Sequence, residues 1–334
     1  MGMVTSLFVR KMVAAAGNQV DGSDLLASVG IDASQPADPR LMVADTSYYD
    51  LLERMATLMD VTDLPIKTGA SMRLDDYGAL GLAFKAATDL RSSYGRVERY
   101  ARLWTSVVEY TLKCEGNNTW FLLHRSGARR LGLRLSNEAT LASAAAIARE
   151  VSPTGTFAPV EVHAKHPPPA TLKHHETYFR SPVFFGSDRD GLLISNTSLK
   201  VPNKLGDKGI CSFLTNHLDQ ELSSIPPALS TKDRLRDAIA QSLSEGLPKM
   251  EAMANRLGMS VRSLHRRLAE DGLNFQTLAE DTRRDLAEGL LKDEKHSLAE
   301  IAFLTGFSEQ SSFTRAFKRW CGETPASYRK RTVA

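Results

Sequence analysis

The segments "MEAMANRLGMSVRSLHRRL" (Met250–Leu268) and "LAEIAFLTGFSEQSSFTRAF" (Leu298–Phe317) are two versions of one pattern within a single chain. They align without a gap up to the serine after each glycine, and the second version then has one extra residue. The matched pairs are Ala254 with Ala302, Gly258 with Gly306, Met259 with Phe307, Ser260 with Ser308, Leu264 with Phe313, Arg266 with Arg315 and Leu268 with Phe317. Such self-similarity predicts one supersecondary unit that is used twice.

Each copy predicts a helix, a short turn and a second helix, which together form a helix-turn-helix. Gly258 and Gly306 permit a tight or left-handed turn, and the alanine four residues earlier in each copy lets the two helices approach closely. We expect Ser260 and Ser308 to cap the second helices by accepting hydrogen bonds from the first unpaired backbone N–H groups.

The second helix of each copy has an apolar face and a polar, cationic face. The residues predicted to point inward are Val261, Leu264 and Leu268 in the first copy and Phe313, Phe317 and Trp320 in the second. Those predicted to point outward and read DNA bases are Arg262, His265 and Arg266, with Ala269 beside them, and Gln310, Ser311, Thr314 and Arg315. Arginine and glutamine can form paired hydrogen bonds with guanine and adenine edges, each worth about 1–3 kcal/mol of discrimination.

Phosphate contacts are predicted for Lys318, Arg319, Ser260 and Ser308, since they would give affinity without sequence preference. The charge distribution supports this prediction. The first 231 residues hold 24 basic and 24 acidic side chains, whereas the segment from Phe313 to the end holds six basic and one acidic. The excess positive charge is therefore local to the second copy and its tail.

A single helix, Phe275–Leu291, is predicted between the copies, with an apolar stripe along one side. The stripe is formed by Phe275, Leu278, Thr282, Leu286 and Leu290. Seventeen residues at about 1.5 Å each span about 26 Å. Such a helix could hold two recognition helices roughly 34 Å apart, which is one turn of DNA.

The clearest domain boundary is "LSSIPPALSTKDR" (Leu222–Arg234), where two prolines separate two helical segments. We predict an α+β domain over residues 1–222, a linker over 223–231 and an all-α domain over 232–334. The helices predicted before the boundary are Ser6–Ala16, Ser23–Val29, Ser47–Met59, Gly95–Trp104, Glu138–Glu150 and Lys208–Leu222. The predicted strands are Val107–Cys114 and Thr119–Arg125, which form a hairpin, and Arg130–Leu135, "VEVHA" (160–164) and "GLLISN" (191–196).

After the boundary every segment is helical. The predicted helices are Lys232–Ser244, Lys249–Leu257, Ser260–Glu270, Phe275–Leu291, Leu298–Thr305, Ser308–Trp320 and Ala326–Lys330. A capping box, Ser297-x-x-Glu300, supports the start of one of them.

The region from Leu235 to Arg329 resembles the AraC/XylS-type DNA-binding domain. The matching text is "ANRLGMSVRSLHRRLAEDG", "LAEIAFLTGFSEQSSFTRAFKRW" and "GETPASYR". The resemblance implies that Arg262, His265 and Arg266 enter one major groove and that Gln310, Ser311, Thr314 and Arg315 enter the next. Thr305, where an apolar residue is commoner, and Cys321, in place of threonine, depart from the family pattern.

The first 220 residues resemble, more loosely, the effector domain of the ornithine- and arginine-regulator-like branch of that family. The stretches that carry this resemblance are "YGALGLAFKAATDLRSSYGRVERYARLW" and "HHETYFRSPVFFGSDRDGLLISNTSLKVP". It implies a domain that senses a small molecule and mediates dimerisation, a role as activator, and RNA polymerase as a partner. Double-stranded DNA is the expected macromolecular ligand, and no cofactor is expected. No apolar run reaches the length of about 18 residues that a membrane helix needs, and a cytoplasmic location is expected.

Aromatic residues in the first domain are candidates for an effector pocket. They are Tyr77, Trp104, Tyr110 and Trp120, with Glu109 as a possible partner for a cationic effector. For any single one of these aromatics, plain core is the commoner role.

An enzyme domain fused to a DNA-binding module is the alternative interpretation. His163, His166, His174, His175 and Glu176 lie within 14 residues and suggest metal binding. The spacing is not that of a helical zinc protease, because Pro167–Pro169 forces an extended chain, so we expect a solvated loop and no metal. An alkyl-transferring enzyme would need a reactive cysteine. Cys114 lies in a predicted strand and Cys211 on an apolar helix, so we expect both to be structural.

Overall fold

The chain divides into two compact units, Met1–Ala228 and Leu229–Ala334, which we call the N-terminal and C-terminal units. The computed structural model describes residues 2–125, 127, 129–169, 171–225, 231–257, 259–292 and 295–333. Within the predicted linker, residues 226–230 lie outside the described residues, as does Gly258 of the first turn. Among the helices of the described ranges, none is both long and apolar enough to cross a lipid bilayer.

The N-terminal unit is α+β, as predicted, and its described strands form two β-sheets. Its helices are α1 (Ser6–Ala16), α2 (Gly22–Ser28), α3 (Asp45–Leu58), α4 (Leu64–Ser71), α5 (Gly78–Ala86), α6 (Leu90–Tyr100), α7 (Leu131–Val151), α8 (Lys173–Phe179), α9 (Asn196–Leu199) and α10 (Lys208–Ser224). Its strands are β1 (Met3–Thr5), β2 (Met42–Ala44), β3 (Val108–Glu115), β4 (Asn118–Arg125), β5 (Glu161–Ala164), β6 (Val183–Phe185) and β7 (Asp190–Ser195). Short 3-10 helices follow α1 and α6 and precede α5.

The larger sheet has the strand order β3-β4-β7-β5-β6, and β1 pairs separately with β2. Only the β5–β6 pair is parallel among the described strand pairs; the others are antiparallel. Helix α7 packs on this sheet through a core that includes Leu141, Ile147, Phe121 and Leu192. It also lies so close to α4 that a side chain at Gly69 would overlap Ala142. Helix α7 is therefore the central element of the unit.

The predicted hairpin is confirmed, because β3 and β4 pair from Val108–Arg125 to Glu115–Asn118 around a two-residue turn. The predicted strand Arg130–Leu135 is wrong, because this segment begins α7. Its leucines alternate as in a strand, which is why a strand was predicted. In the structure Gly132 lies directly against the backbone of Tyr49 in α3, and only a residue without a side chain allows α7 to come this close. The helix predicted from Gly95 begins earlier, at Leu90, because Asp89 caps it by accepting a hydrogen bond from the N–H of Ser92.

The C-terminal unit is helical, as predicted. Its helices are α11 (Thr231–Ser242), α12 (Met250–Arg256), α13 (Val261–Glu270), α14 (Phe275–Leu291), α15 (Leu298–Leu304), α16 (Gln310–Cys321) and α17 (Pro325–Val333), with a 3-10 helix at Leu243–Glu245. Two cores lie side by side in this unit. Leu278 and Ala279 belong to one core with α11, α12 and α13, whereas Ala287 and Leu291 belong to the other with α15 and α16. Helix α14 therefore belongs to both cores.

Candidate nucleic-acid interface and effector cavity

The first helix-turn-helix consists of α12 and α13. Ala254 of α12 is buried in the core shared with α11, α13 and α14. The Ser260 hydroxyl accepts a hydrogen bond from the N–H of Ser263 at 3.1 Å. The predicted cap at Ser260 is therefore confirmed. Leu264 and Leu268 are buried in the first core, also as predicted.

The predicted inward position of Val261 is wrong. Its side chain is 38% exposed, because it occupies the first position of α13, ahead of the stripe that Leu264 and Leu268 continue. The predicted base-reading residues of this helix, Arg262, His265 and Arg266, are exposed on the side opposite the buried leucines. The structure thus presents these three side chains on one outward face of α13.

The second helix-turn-helix consists of α15 and α16. The predicted capping box is confirmed: the N–H of Ser297 donates to the Glu300 carboxylate at 2.7 Å, and the N–H of Glu300 donates to the Ser297 hydroxyl at 3.2 Å. The predicted cap at Ser308 is wrong, because Glu309 occupies the capping position and its side chain makes no capping hydrogen bond. Glu309 is placed where the second copy has its extra residue, and this insertion moves the helix start beyond Ser308.

Helix α16 separates its apolar and polar residues as predicted. Phe313 and Phe317 are fully buried, and Trp320 is half-buried against Phe307. Of the predicted base-reading residues, Gln310, Ser311 and Arg315 are exposed and Thr314 is half-buried. The predicted phosphate residues Ser260, Ser308, Lys318 and Arg319 are all exposed.

Local hydrogen bonds hold several of these side chains. The Ser311 hydroxyl donates to the Glu309 carboxylate at 3.1 Å, and the Thr314 hydroxyl donates to the carbonyl oxygen of Gln310 at 2.9 Å. Arg315 Nη2 lies 3.4 Å from Ser312 Oγ, which leaves its guanidinium at the surface.

Arg283 of α14 holds the turn of the second helix-turn-helix, and the sequence did not predict this contact. Its Nε donates to the carbonyl oxygen of Thr305 at 2.8 Å, and its Nη2 donates to that of Gly306 at 3.1 Å. The guanidinium also lies 3.9 Å from the ring centroid of Phe307. Burial lowers the pKa of Arg283. Thr305 is itself fully buried and donates to the carbonyl oxygen of Ile301 at 2.6 Å, so its hydroxyl is satisfied within α15.

A cavity of about 70 Å³ lies inside the N-terminal unit. Its walls come from α1, α3, α4, α5, α6, α7, β3, β4 and the 3-10 helix before α5. Of the predicted effector residues, Tyr77 and Tyr110 line this cavity, whereas Trp104, Glu109 and Trp120 do not.

The three remaining candidates lie elsewhere for identifiable reasons. Successive side chains of a strand point to opposite faces, so Phe121 lines the cavity while Trp120 packs against His163 with ring centroids 4.9 Å apart. Glu109 is exposed for the same reason, since the neighbouring Tyr110 points inward. Trp104 packs edge-on against Tyr77 at 6.4 Å and belongs to a separate apolar cluster.

The histidine cluster is not the solvated loop that was predicted. Residues 173–179 form α8, and His175 is buried with its Nε2 2.6 Å from the Glu138 carboxylate. His166 Nε2 lies 3.3 Å from the other oxygen of that carboxylate, Oε1. Arg134 Nε donates to the same Oε1 at 3.0 Å. Although burial alone would raise it, the pKa of Glu138 is lowered by the His175 hydrogen bond and the nearby cations.

Glu138 lies on α7, far from the histidines in sequence, which is why the pairing was not predicted. In the described part of the chain, no group of three or more His, Cys, Asp or Glu side chains is arranged to hold a metal ion. The histidines His163 and His174 do not join the Glu138 cluster: His163 pairs with Glu161, and His174 is exposed.

The three cysteines differ in their surroundings. Cys211 is buried, as its sequence setting predicted, but Cys114 is exposed on β3. Hydrogen bonds from the Thr119 hydroxyl and the Arg91 guanidinium lower the pKa of the Cys114 thiol. Burial and the Glu288 carboxylate raise the pKa of Cys321 to about 11.

Iodoacetamide at pH 8 is therefore expected to label Cys114 before Cys321, by about tenfold in rate, because the thiolate is the reactive form. Cys211 should react only on unfolding, since it is buried. Peptide mass spectrometry over a time course measures the three rates separately. Equal rates at Cys114 and Cys321 would contradict this order.

Comparison with known proteins agrees with this architecture. The model of the arabinose-binding N-terminal domain of AraC transcription regulators matches residues 20–203, and a helix-turn-helix domain model matches residues 253–331. The ornithine utilization regulator of Pseudomonas aeruginosa is 29% identical over 171 residues, which are 51% of this chain and 50% of that protein. An uncharacterized HTH-type transcriptional regulator of Mycobacterium bovis is 24% identical over 333 residues, covering 93% of this chain and 92% of the relative.

Among solved structures, transcriptional regulator CdpR from Pseudomonas aeruginosa has a TM-score of 0.44 and 21% identity, covering 97% of this chain and 98% of that chain. The two sequence relatives are, by name, regulators. The N-terminal model spans more than half of the 334 residues, and the double helix-turn-helix follows it. The chain therefore belongs to the AraC family of transcription regulators, with a ligand-binding domain followed by a DNA-binding domain.

Proposed function

We propose that this protein activates transcription in response to a small molecule and acts as a dimer. In this proposal residues 1–222 sense the effector and mediate dimerisation, and residues 232–334 bind the promoter. Two observations support it: a cavity in the N-terminal unit, and two outward polar faces on α13 and α16. Activation, and contact with RNA polymerase, are supported by the resemblance to AraC/XylS-type regulators.

The two recognition helices would read successive segments of the major groove. The residues proposed to contact bases are Arg262, His265 and Arg266 of α13 and Gln310, Ser311, Thr314 and Arg315 of α16. The residues proposed to contact phosphates are Ser260, Ser308, Lys318 and Arg319. The observation that carries this proposal is the repeat itself, because both copies expose arginine at the same position while burying the matched apolar residues.

The effector would act by a population shift. A ligand that binds one conformation of the N-terminal unit more tightly than another changes the fraction of molecules able to bind the promoter. The magnitude of regulation is then limited by the difference between its two affinities.

Arg315→Ala is expected to weaken binding to the preferred sequence by about 1–3 kcal/mol and to relax base preference at one position, because a base-edge contact is lost. Arg266→Ala should do the same in the other segment. Lys318→Ala is the matched control on α16, and it should weaken binding evenly across sequences and make it less dependent on salt. Fluorescence anisotropy with a set of base-substituted duplexes at two salt concentrations measures both effects. Unchanged affinity and sequence preference for Arg315→Ala would show that α16 is placed in the wrong register.

A footprint on the promoters of the protein's own gene and of the neighbouring gene tests the proposed function as a whole. Protection over about two helical turns per monomer, changed by one metabolite of the adjacent operon, is the expected result. Absence of protection at low salt would contradict the proposed promoter targets and mode of binding. Protection that no metabolite alters would contradict effector control alone.

A further inference from the structure

Among the described residues that line the cavity of the N-terminal unit, none is ionic. Of its 18 lining residues, seven have hydroxyl groups and eleven are apolar or glycine; none is Asp, Glu, Lys, Arg or His. One cation, Arg125, contacts the wall from outside the lining. Its Nη2 donates to Thr140 Oγ1 at 3.0 Å, and its Nε donates to Asn137. A charged ligand would therefore enter a site that offers no direct counter-ion.

Three of the seven hydroxyl groups in the wall donate hydrogen bonds within the protein. Thr68, Thr140 and Ser143 each donate to the carbonyl oxygen four residues earlier in their own helix, all at 2.8 Å. The hydroxyl of Tyr48 faces Ser136, and that of Tyr77 faces Ser143. The hydrogen atoms of these three Thr and Ser hydroxyl groups are therefore not available to an acceptor on a ligand.

Tyr110 differs from Tyr48 and Tyr77 in that no serine faces its hydroxyl. Its ring stacks on Phe121 with centroids 5.2 Å apart, which aims the side chain into the cavity. Its hydroxyl makes no hydrogen bond with the residues that the structure describes. Burial raises the pKa of Tyr110 to about 12, so the hydroxyl stays protonated and can both donate and accept. A polar group without a partner in an apolar cavity indicates where a ligand's polar group would lie.

We propose that this cavity binds a small neutral effector with a hydrocarbon body and a single hydrogen-bonding group placed against Tyr110. Short alcohols, phenols and ketones have this chemistry. The inference rests on the proposed effector function and narrows its ligand class. A pentose has a hydroxyl or ring oxygen on every carbon and so lacks the hydrocarbon body that the eleven apolar or glycine residues of the lining favour, and an amino acid such as ornithine is ionic.

A panel of matched ligands tests the class with the purified full chain. The neutral probes are n-butanol and phenol, and the others are n-butyrate, n-butylamine, L-arabinose and ornithine. Saturation-transfer NMR should detect binding of the neutral probes alone, and these should raise Tm with concentration, because a ligand that binds only the folded state stabilises it. Equal or stronger binding of butyrate, butylamine, arabinose or ornithine would overturn the proposal, as would failure of both neutral probes to bind.

Tyr110→Phe tests the placement of the polar group. Because the Tyr110 hydroxyl has no protein partner in the described residues, Tm without ligand should be unchanged, while affinity for phenol should fall about fivefold. Tyr178→Phe is the matched control: its hydroxyl donates to the carbonyl oxygen of Ala142 at 2.8 Å, outside the cavity lining. It should lower Tm and leave phenol affinity unchanged. Wild-type affinity in Tyr110→Phe would overturn the assignment.

The promoter footprint distinguishes failure of the proposed ligand class from failure of the proposed effector control. If an ionic metabolite changes the footprint while the neutral probes do not bind, effector control stands and the ligand class is wrong. If no metabolite changes the footprint but the neutral probes bind, the cavity assignment stands and its regulatory role is wrong.

Discussion

Gly306→Ala is expected to destabilise the C-terminal unit by about 2–5 kcal/mol and to abolish DNA binding, because two costs add at this position. The backbone of Gly306 has a φ of 78°, a left-handed conformation that alanine adopts only with strain. A Cβ atom there would also lie 2.8 Å from the carbonyl oxygen of Leu243, in the 3-10 helix that ends α11. The turn would have to move away from α11, and α16 would move with it.

Gly322→Ala is the matched control for this prediction. Gly322 has a φ of 79°, but nothing lies within 4 Å of the position that a Cβ atom would take. It should therefore show the backbone strain alone, about 1–2 kcal/mol. Hydrogen exchange of peptides from α15 and α16 measures both variants in the full chain. Equal losses at the two glycines would show that the contact with Leu243 has no energetic role.

His175→Phe is expected to destabilise the N-terminal unit by about 3–5 kcal/mol, because it leaves a buried carboxylate without its closest hydrogen-bond donor. The phenylalanine ring can keep the edge-on contact with Phe185, which has a centroid distance of 5.5 Å. The lost interaction is therefore the 2.6 Å contact with Glu138, whose side chain is 3% exposed. Urea unfolding followed by circular dichroism measures the change in the free energy of unfolding.

Two further variants separate the buried charge from loss of packing. His174→Phe alters the neighbouring, exposed histidine of α8 and should change stability by less than about 0.5 kcal/mol. Glu138→Gln in the His175→Phe background removes the charge and should recover much of the loss. If the double variant is as unstable as His175→Phe alone, the buried charge is not the cause.

The C-terminal unit was predictable because its signals are local. Buried residues recur at helical spacing, and glycine, serine and the capping box mark the helix ends within a few residues. The errors at Ser308 and Val261 have the same origin: both lie at a helix start, where one residue decides whether a side chain caps, packs or is exposed. The Arg283 contact could not be predicted, because it joins residues more than 20 positions apart through backbone carbonyl groups, which no side-chain pattern marks.

The N-terminal unit was less predictable, because its site is assembled from distant segments. The β3–β4 hairpin was identified from alternation around a turn, and Tyr77 and Tyr110 were identified as aromatic. The cavity walls also come from α4, α5 and α7. In these helices Gly69, Gly81 and Gly132 allow close backbone approach, but glycine inside a segment weakens the sequence signal for a helix. Pairing of Glu138 with His175 spans 37 positions and depends on how α7 and α8 pack.

The shared membership of α14 in two cores has a consequence for how such a regulator can evolve. Each added residue in a helix rotates everything beyond it by about 100° and advances it by about 1.5 Å. One added base pair rotates a DNA site by only about 34°, since a turn holds about 10.5. Single insertions in α14 therefore cannot compensate for single insertions in a promoter. The base sequences of this protein's operators should therefore change during evolution while the distance between the two contacted segments stays fixed. A new spacing would require a different element in place of α14.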